Sequence, residues 1–511
     1  GSSDMMGNPN RHKVPFQYDR PFTYSVKRDA SLQMVYVNGS SSVAGNTERR
    51  EAIGLVGLGG GVAFKVGSDA SDFYVWEVIA YNRDLADSER LQVESYLQAK
   101  YAVSPVGMEA SRWTASSGLW SGANWDTAPD AAKTNGMVFF GRSGVTIEND
   151  LTGVKLEDLT FREGADVEVK GNPVELRGEL RVFPSSGATI KWKTAMSLSA
   201  RQHLVETQPG TVFIWDGVLS GSGGFCLGTG LKSWDSKSVC GGTIRLGGTN
   251  TFEGPVEIRQ GTLEVTRLGN AGASGSLGAA AGDSAVVKMG AQLSGETPVL
   301  SYIGTEDSET DRPLRITRTV RIENNSTNGS AIRFNGTAWT QEPQVYPAMN
   351  SSLTLAGSSA GVNEYNVPFV EAGVSTTAYF TVSVSGGSWA FSKGGTIARG
   401  NLSVNAGGTA LFNQTETFNG MVIFNAGAVV GGTDLRVNGM LLQYAGTTVS
   451  PGDPRVNGGI GRMLYSKAAN IDGVTFRIQT TPSENDSVYF GSALTLSPNV
   501  KIEVAAESAE T

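Results

Sequence analysis

The sequence predicts an all-β protein built mainly as an elongated array of short stacked strands, and three observations point there. Gly supplies 66 of 511 residues, nearly double the usual share of about 7 %, while charged residues reach only 18 % against about 25 % ordinarily. Short apolar-alternating runs recur between Gly and Asn turn signals, as in Val145 to Ile147, Val154 to Leu156, Val167 to Val169 and Val174 to Leu176, and such short periods argue for a solenoid. The length exceeds what one ordinary core fills, so several domains or one long array is expected.

The first hundred residues read differently from the rest. PFTYSVKRDASLQMVYVNGSS alternates apolar and polar positions and turns at Asn38-Gly39, the signature of paired antiparallel strands. GLVGLGGG, from Gly54 to Gly61, lacks the Lys and the following helix of a phosphate cradle and reads as a hairpin. A strand through Tyr74, Trp76, Val78 and Ile79 precedes a helix that Asp87 opens as N-cap. Leu91, Val93, Tyr96, Leu97 and Tyr101 are its expected buried stripe.

In this segment Glu77, Tyr81, Asn82, Arg83 and Leu85, followed by Tyr96, Leu97, Lys100 and Tyr101, resemble the carboxyl end of concanavalin-like, laminin-G-type jelly-roll domains of large bacterial surface proteins. The resemblance implies that residues 1–104 are the later part of an antiparallel jelly roll with one short closing helix. About a hundred residues are too few for a whole jelly roll, so the chain is expected to start inside the domain. A linker, 105–112, follows.

The spacing of Trp113, Trp120 and Trp125 ahead of Val138, Phe139 and Phe140 resembles the entry unit of autotransporter-associated β-strand repeat regions, and the three rings are read as the cap on one end of a core. GSGG, GTIRLGGTNTFEG and GTLEV, from Gly221 to Val265, resemble the passenger-associated repeat of the same proteins. A weaker copy is GSWAFSKGGTIARGNLSVNAGGTALFN, and Ser450-Pro451-Gly452, Gly459-Ile460-Gly461, Phe476, Ile478, Asp486 and Val488 resemble a terminal unit. The resemblance implies a right-handed parallel β-helix over 113–496, irregular near 301–381 where the pattern fits poorly, with 497–511 as its end or tail. The physics agrees: alternating residues of each rung feed a stacked core, and Gly permits the corners.

Cys226 and Cys240, the only cysteines, flank CLGTGLKSWDSKSVC, which interrupts the best repeat. An insertion costs little if it leaves a solenoid through a corner. In an exported β protein the pair is expected to form a disulfide, which closes a loop worth roughly 3 kcal/mol.

Little in the chain suggests chemistry. A net charge of -8 and the lack of any Lys or Arg run give no footprint for nucleic acid. No apolar stretch reaches the roughly 18 residues of a membrane span, and Gly1 to Gln17 lacks the apolar centre of a signal peptide. Any export signal, C-terminal barrel or anchor is therefore expected elsewhere in the precursor. A β-helix polysaccharide lyase or hydrolase needs paired carboxylates on one face, and the sequence has no Asp-Asp pair; His203 reads as a surface or packing residue. The acidic cluster Glu306, Asp307, Glu309, Asp311 lacks the Gly-punctuated order of a Ca²⁺ loop and reads as a solvated loop, so no cofactor is expected. Asp453 and Asp486 read as turn residues that bond the backbone. Tyr24, Tyr36, Tyr74 and Trp76 could stack weakly on glycans, although alternating strand aromatics are more often core. The expectation is an exported, non-catalytic bacterial surface passenger, adhesive or stalk-forming, whose partners are surface or matrix glycans, proteins or further copies of itself. A filament subunit and a polysaccharide-active enzyme are the alternatives.

Overall fold

The computed structural model describes three strands between 24 and 43, scattered positions between 77 and 100, and residues 110–506 apart from 141–143, 163–165, 185–186, 229–240, 291–296, 337–350, 368–379 and a few isolated positions. From Ala110 onward these residues form a parallel β-solenoid of about 13 turns. One 14-stranded sheet runs from Gly118–Leu119 to Leu441–Gln443. A 12-stranded sheet accompanies it through the first half, and a nine-stranded sheet from Ser308–Thr310 to Lys501–Ala506 replaces that one in the second. A five-stranded sheet from Gly395–Ile397 to Ser487–Phe490 adds a third strand to the last turns.

The rungs follow directly from the alternation in the sequence. Thr243–Leu246 and Thr262–Val265 lie parallel and in register, Ile244 opposite Leu263 and Leu246 opposite Val265, and in both strands every second residue is buried. One inward column passes from Val169 through Trp192, Trp215, Leu246 and Val265 to Tyr302. No rung can bury this column alone, so each is stabilised by its neighbours, at roughly 1.5–3 kcal/mol for each large apolar side chain removed from water. Between rungs, side-chain amides bond the turns: buried Asn149 Nδ2 donates to Asn172 O at 2.7 Å, and half-buried Asn425 Nδ2 to Asn405 Oδ1, 20 positions earlier, at 2.7 Å.

Three tryptophans pack together at the first described turn. Trp113, Trp120 and Trp125 are buried and meet edge to face, with centroids 4.9 and 5.8 Å apart, and Trp125 Nε1 donates to Trp120 O at 2.9 Å. They cap the core as the entry unit led us to expect.

Two boundaries differ from the sequence reading. The parallel ladder already includes Ala110–Trp113, which begins inside the expected linker. Lys501–Ala506, in the stretch read as the solenoid's end or tail, pairs in parallel with Thr475–Thr480 and belongs to the solenoid. The stretch 301–381 is irregular in sequence but not in stacking where it is described. Val299–Tyr302, Thr319–Asn324 and Ser351–Gly357 are successive rungs of the 14-stranded sheet. Thr319–Asn324 keeps strict buried alternation and the other two keep most of it without the Gly-x-Thr signal, because packing on the previous rung sets the register.

At the N-terminal side, Tyr24–Arg28, Gln33–Val37 and Ser40–Val43 form a three-stranded antiparallel sheet. Val37 lies opposite Ser40, which leaves Asn38-Gly39 as the two residues between them. These strands do not by themselves make a jelly roll, and most of the expected module, including Gly54 to Gly61, lies outside the described residues. The expected helix is present at the described positions between 89 and 100, but Tyr96, placed in its buried stripe by sequence, is 51 % exposed. Its hydroxyl bonds Lys100 Nζ at 2.9 Å, and Lys100 pairs with Glu77 at 3.0 Å.

Candidate functional site

Of the aromatics proposed for glycan contact, Tyr24 and Tyr36 sit in the antiparallel sheet opposite Val37 and Ser25 respectively, adjacent registers rather than one row. Tyr74 and Trp76 lie outside the described residues. Among the described residues of this segment, Tyr81 and Tyr96 are exposed rings, and they line a shallow cleft with Ile79, Arg83, Glu89 and Gln92. Arg83 holds Glu89 bidentately at 2.8 Å, an exposed pair of small energetic worth.

Cys226 is 5 % exposed although it occupies an outward position, opposite Leu204 and Glu257. Its thiol donates to Gly228 O at 3.4 Å. Cys240 lies outside the described residues. The insertion does leave at a corner: Gly228 N bonds Val205 O at 2.8 Å, Gly241 N bonds Thr207 O at 2.9 Å, and Thr243 resumes the ladder on Thr211 O.

The carboxylates sort into structural roles. Asp158, Glu179 and Glu206 surround Arg181 on the outer side of the 12-stranded sheet. Burial opposes the charge on Arg181, but the three carboxylates outweigh it and raise its pKa. Burial likewise pushes Glu179 up, against the pull of Arg181. Three acids converging on one cation make a buried ion cluster rather than an acid and base facing each other across a cleft.

Glu306, Asp307, Glu309 and Asp311 of the acidic cluster are solvent-exposed, and residues of the same stretch also clamp neighbouring turns. Asp311 Oδ1 accepts from Ala271 N at 2.7 Å, Ser308 Oγ from Leu268 N at 2.9 Å, and Asp307 from Ala331 N at 2.9 Å while it pairs with Arg333. Arg312, missed by sequence reasoning, is 1 % exposed and reaches back to the excursion Thr266 to Ala281 that holds Leu268 and Ala271, Nη2 to Gly278 O at 2.8 Å and Nε to Gly269 O at 3.3 Å. Among the described residues no three His, Cys, Asp or Glu side chains converge to hold a metal ion.

His203 is an interior residue, not a surface one: it stacks on Phe225 in register, its ring nitrogens lie 2.6 Å from Gly178 O and 3.1 Å from Ser199 O, and burial lowers its pKa. Asp453 and Asp486 do bond the backbone. Asp453 accepts from Arg455 N at 3.0 Å, and Asp486 from Gly461 N and Gln479 N at 2.8 Å each.

With this architecture in place, the comparisons with known proteins are informative. In part, the chain is similar to an autotransporter adhesin. The adhesin BmaC autotransporter of Brucella suis biovar 1 (strain 1330) is 29 % identical over 194 residues, 38 % of this chain. The match spans only 4 % of that protein's length. No family model matches, and no solved structure does. The match and the parallel solenoid together fit an autotransporter passenger, and no helix among the described residues is long and apolar enough to cross a membrane.

Proposed function

We propose that this chain is an exported, non-catalytic passenger at a bacterial cell surface, adhesive or structural, whose right-handed solenoid holds a terminal module away from its attachment. Right-handed coiling follows the hand of nearly all parallel crossovers. The observation that carries the reading is the continuous inward stack from Trp113 to Phe476, joined to the similarity to an adhesin. A stack of this kind supplies length and stiffness and repeats its outer surface at every turn, which suits many weak contacts made together. The carboxylates support the non-enzymatic side, since the buried ones hold arginines and loop amides. Surface glycans and proteins are the targets this reading implies.

The test is retention without turnover. Beads coated with the full chain are expected to hold to members of a panel of surface glycans and matrix proteins, releasing neither reducing ends nor unsaturated sugars. Continuous release of sugars overturns the reading in favour of an enzyme, and loss of retention across the whole panel overturns the adhesive part.

A further inference from the structure

The outer face of the 14-stranded sheet changes character along its length. In its first half the outward rows are ionic, with Lys170 paired to Glu148 at 3.4 Å, Lys193 to Glu168 at 2.9 Å and Arg245 to Glu264 at 2.6 Å. The last charged residues of its strands are Arg321 and Glu323, which also pair. The five strands that follow, Ser351–Gly357, Phe380–Val384, Asn401–Val404, Val422–Phe424 and Leu441–Gln443, contain no charged residue. One outward row continues in register from Arg321 through Thr354, Ser383 and Ser403 to Ile423 and Leu442. Ser352, Thr381 and Asn401 form a second row beside it. At a strand spacing of about 4.8 Å the five rungs make a strip about 19 Å long. Its amides are held in place by one another and by hydroxyls: Asn425 Nδ2 donates to Asn405 Oδ1 at 2.7 Å, Asn405 Nδ2 to Ser385 Oγ at 3.0 Å, and Ser403 Oγ to Asn405 Oδ1 at 3.0 Å. Among the described residues, Asn425 Oδ1 and the hydroxyls of Thr354, Thr381 and Ser383 take no side-chain or backbone partner. At one end of the strip Met440 is 60 % and Tyr444 51 % exposed.

We propose that this strip binds a neutral glycan chain, one without carboxylate or sulfate groups. Hydroxyls and amides both donate and accept, as sugar hydroxyls do, and the fixed amides present their free valences in repeating rows. The exposed Tyr444 ring offers an apolar surface to a sugar face while its own hydroxyl stays wet. An acidic glycan finds no cation on these strands to pair with. A protein partner needs a buried apolar centre in its interface, whereas the exposed apolar groups here sit at one end of a row of hydroxyls. The strip serves the adhesive role proposed above and rests on that reading.

Affinity electrophoresis of the full chain tests it, with dextran, mannan and galactan as neutral probes and hyaluronan and heparin as acidic ones. A neutral probe is expected to retard the chain and the acidic ones are not. Ser383→Arg sets a cation in the row where Arg321 stands two rungs earlier, so the fold accepts it, and the retardation is expected to be lost. Tyr444→Ala is expected to weaken it about tenfold, and Lys191→Ala, on the ionic half of the same sheet, to leave it unchanged. Retardation that Ser383→Arg and Tyr444→Ala leave intact overturns the proposal. So does a parent that binds heparin or a matrix protein but none of the neutral probes, in which case the adhesive reading stands; a parent that binds nothing overturns both. A dimer in sedimentation that both variants abolish, with no neutral probe bound, assigns the strip to a second copy and overturns the proposal as well.

Discussion

Replacing Arg312 by Met tests whether one buried cation holds the excursion Thr266 to Ala281 against the stack. The guanidinium is buried, burial lowers its pKa, and Asp311 only partly offsets that. Its two shorter bonds go to Gly278 O and Gly269 O at 2.8 and 3.3 Å, and bonds from a charged donor are worth about 1.5–3 kcal/mol each. Removing a poorly paired buried charge returns several kcal/mol of desolvation, so Arg312→Met is expected to cost about 1–3 kcal/mol, confined to the excursion. Arg312→Lys is expected to cost more, because it keeps the charge but loses the planar fork that reaches two carbonyls. The assay is native-state amide exchange at Leu268, Ala271 and Gly272, whose N–H groups bond Ser308 Oγ, Asp311 Oδ1 and Ala280 O. Exchange there should quicken roughly 5- to 150-fold in Arg312→Met while amides of the rung Thr243–Leu246 keep their protection. Unchanged exchange in Arg312→Met, or an Arg312→Lys protein as protected as the parent, refutes the reasoning.

Three further outcomes follow from the same geometry. Gly439→Ala places a Cβ 1.7 Å from Gly420 O, whereas at Gly144 (φ +74) a Cβ meets nothing within 4 Å; thermal or urea unfolding should show the first costing about 3 kcal/mol as overpacking and the second about 1 kcal/mol as backbone strain. Burial acts to raise the Asp453 pKa, but bonds from Arg455 and Asn413 outweigh it and the net shift is down; its contribution is therefore full above the ordinary Asp value of about 3.9 and lost as pH falls through the lower folded value, so Asp453→Asn should flatten the acid side of a stability profile below about pH 4. Asp486, pushed up by burial, runs the other way and favours the fold less as pH rises through its range. Thiol labelling of the unreduced, denatured chain should find no reactive cysteine if Cys226 and Cys240 are bonded; two labelled thiols per chain sink that pairing.

What the sequence revealed was local in origin. TIRL and TLEV announce their rungs because every second residue points inward, and the Trp113, Trp120, Trp125 spacing announces the cap because three large rings need one another to leave water. Asp453 and Asp486 were legible as turn residues since their partners include nearby backbone amides. What stayed hidden depends on partners far along the chain. Arg312 works on Gly269, 43 positions earlier, so nothing next to it in the sequence marks its role. His203 read as a surface or packing residue, and what decides for packing is a carbonyl one turn back, Gly178 O, beside the local Ser199 O. Leu314, Ile316, Val320 and Ile322 are core positions in a stretch without the repeat's Gly and Thr, because a rung needs only alternation once its predecessor fixes the register. Tyr96 was assigned to the core from helical spacing alone, whereas its ring lies in the exposed cleft and its hydroxyl bonds Lys100.

The excursions bear on how such a stack behaves under load. In a simple solenoid each turn touches only its neighbours, and stability is a sum of local terms. Here the turn after Pro451 folds back so that Arg455 bonds both Asp453 at 2.7 Å and Glu364, 91 positions earlier, at 3.1 Å, and Glu364 lies near Arg333, which pairs with Asp307. The excursion after Val265 is clamped by the turn around Arg312 in the same way. The Arg333 and Arg312 ties join turns that are already ladder neighbours, whereas Arg455 and Glu364 lie on turns several strands apart in one sheet, so opening either of those must also break a contact several rungs away. Each exposed pair is individually weak. A buried end such as Asp453 makes the tie cost more to break, since a carboxylate left without its arginine in that site is poorly solvated. The Arg455 tie therefore adds coupling beyond nearest neighbours to an architecture whose stability is otherwise a sum of repeat and neighbour terms.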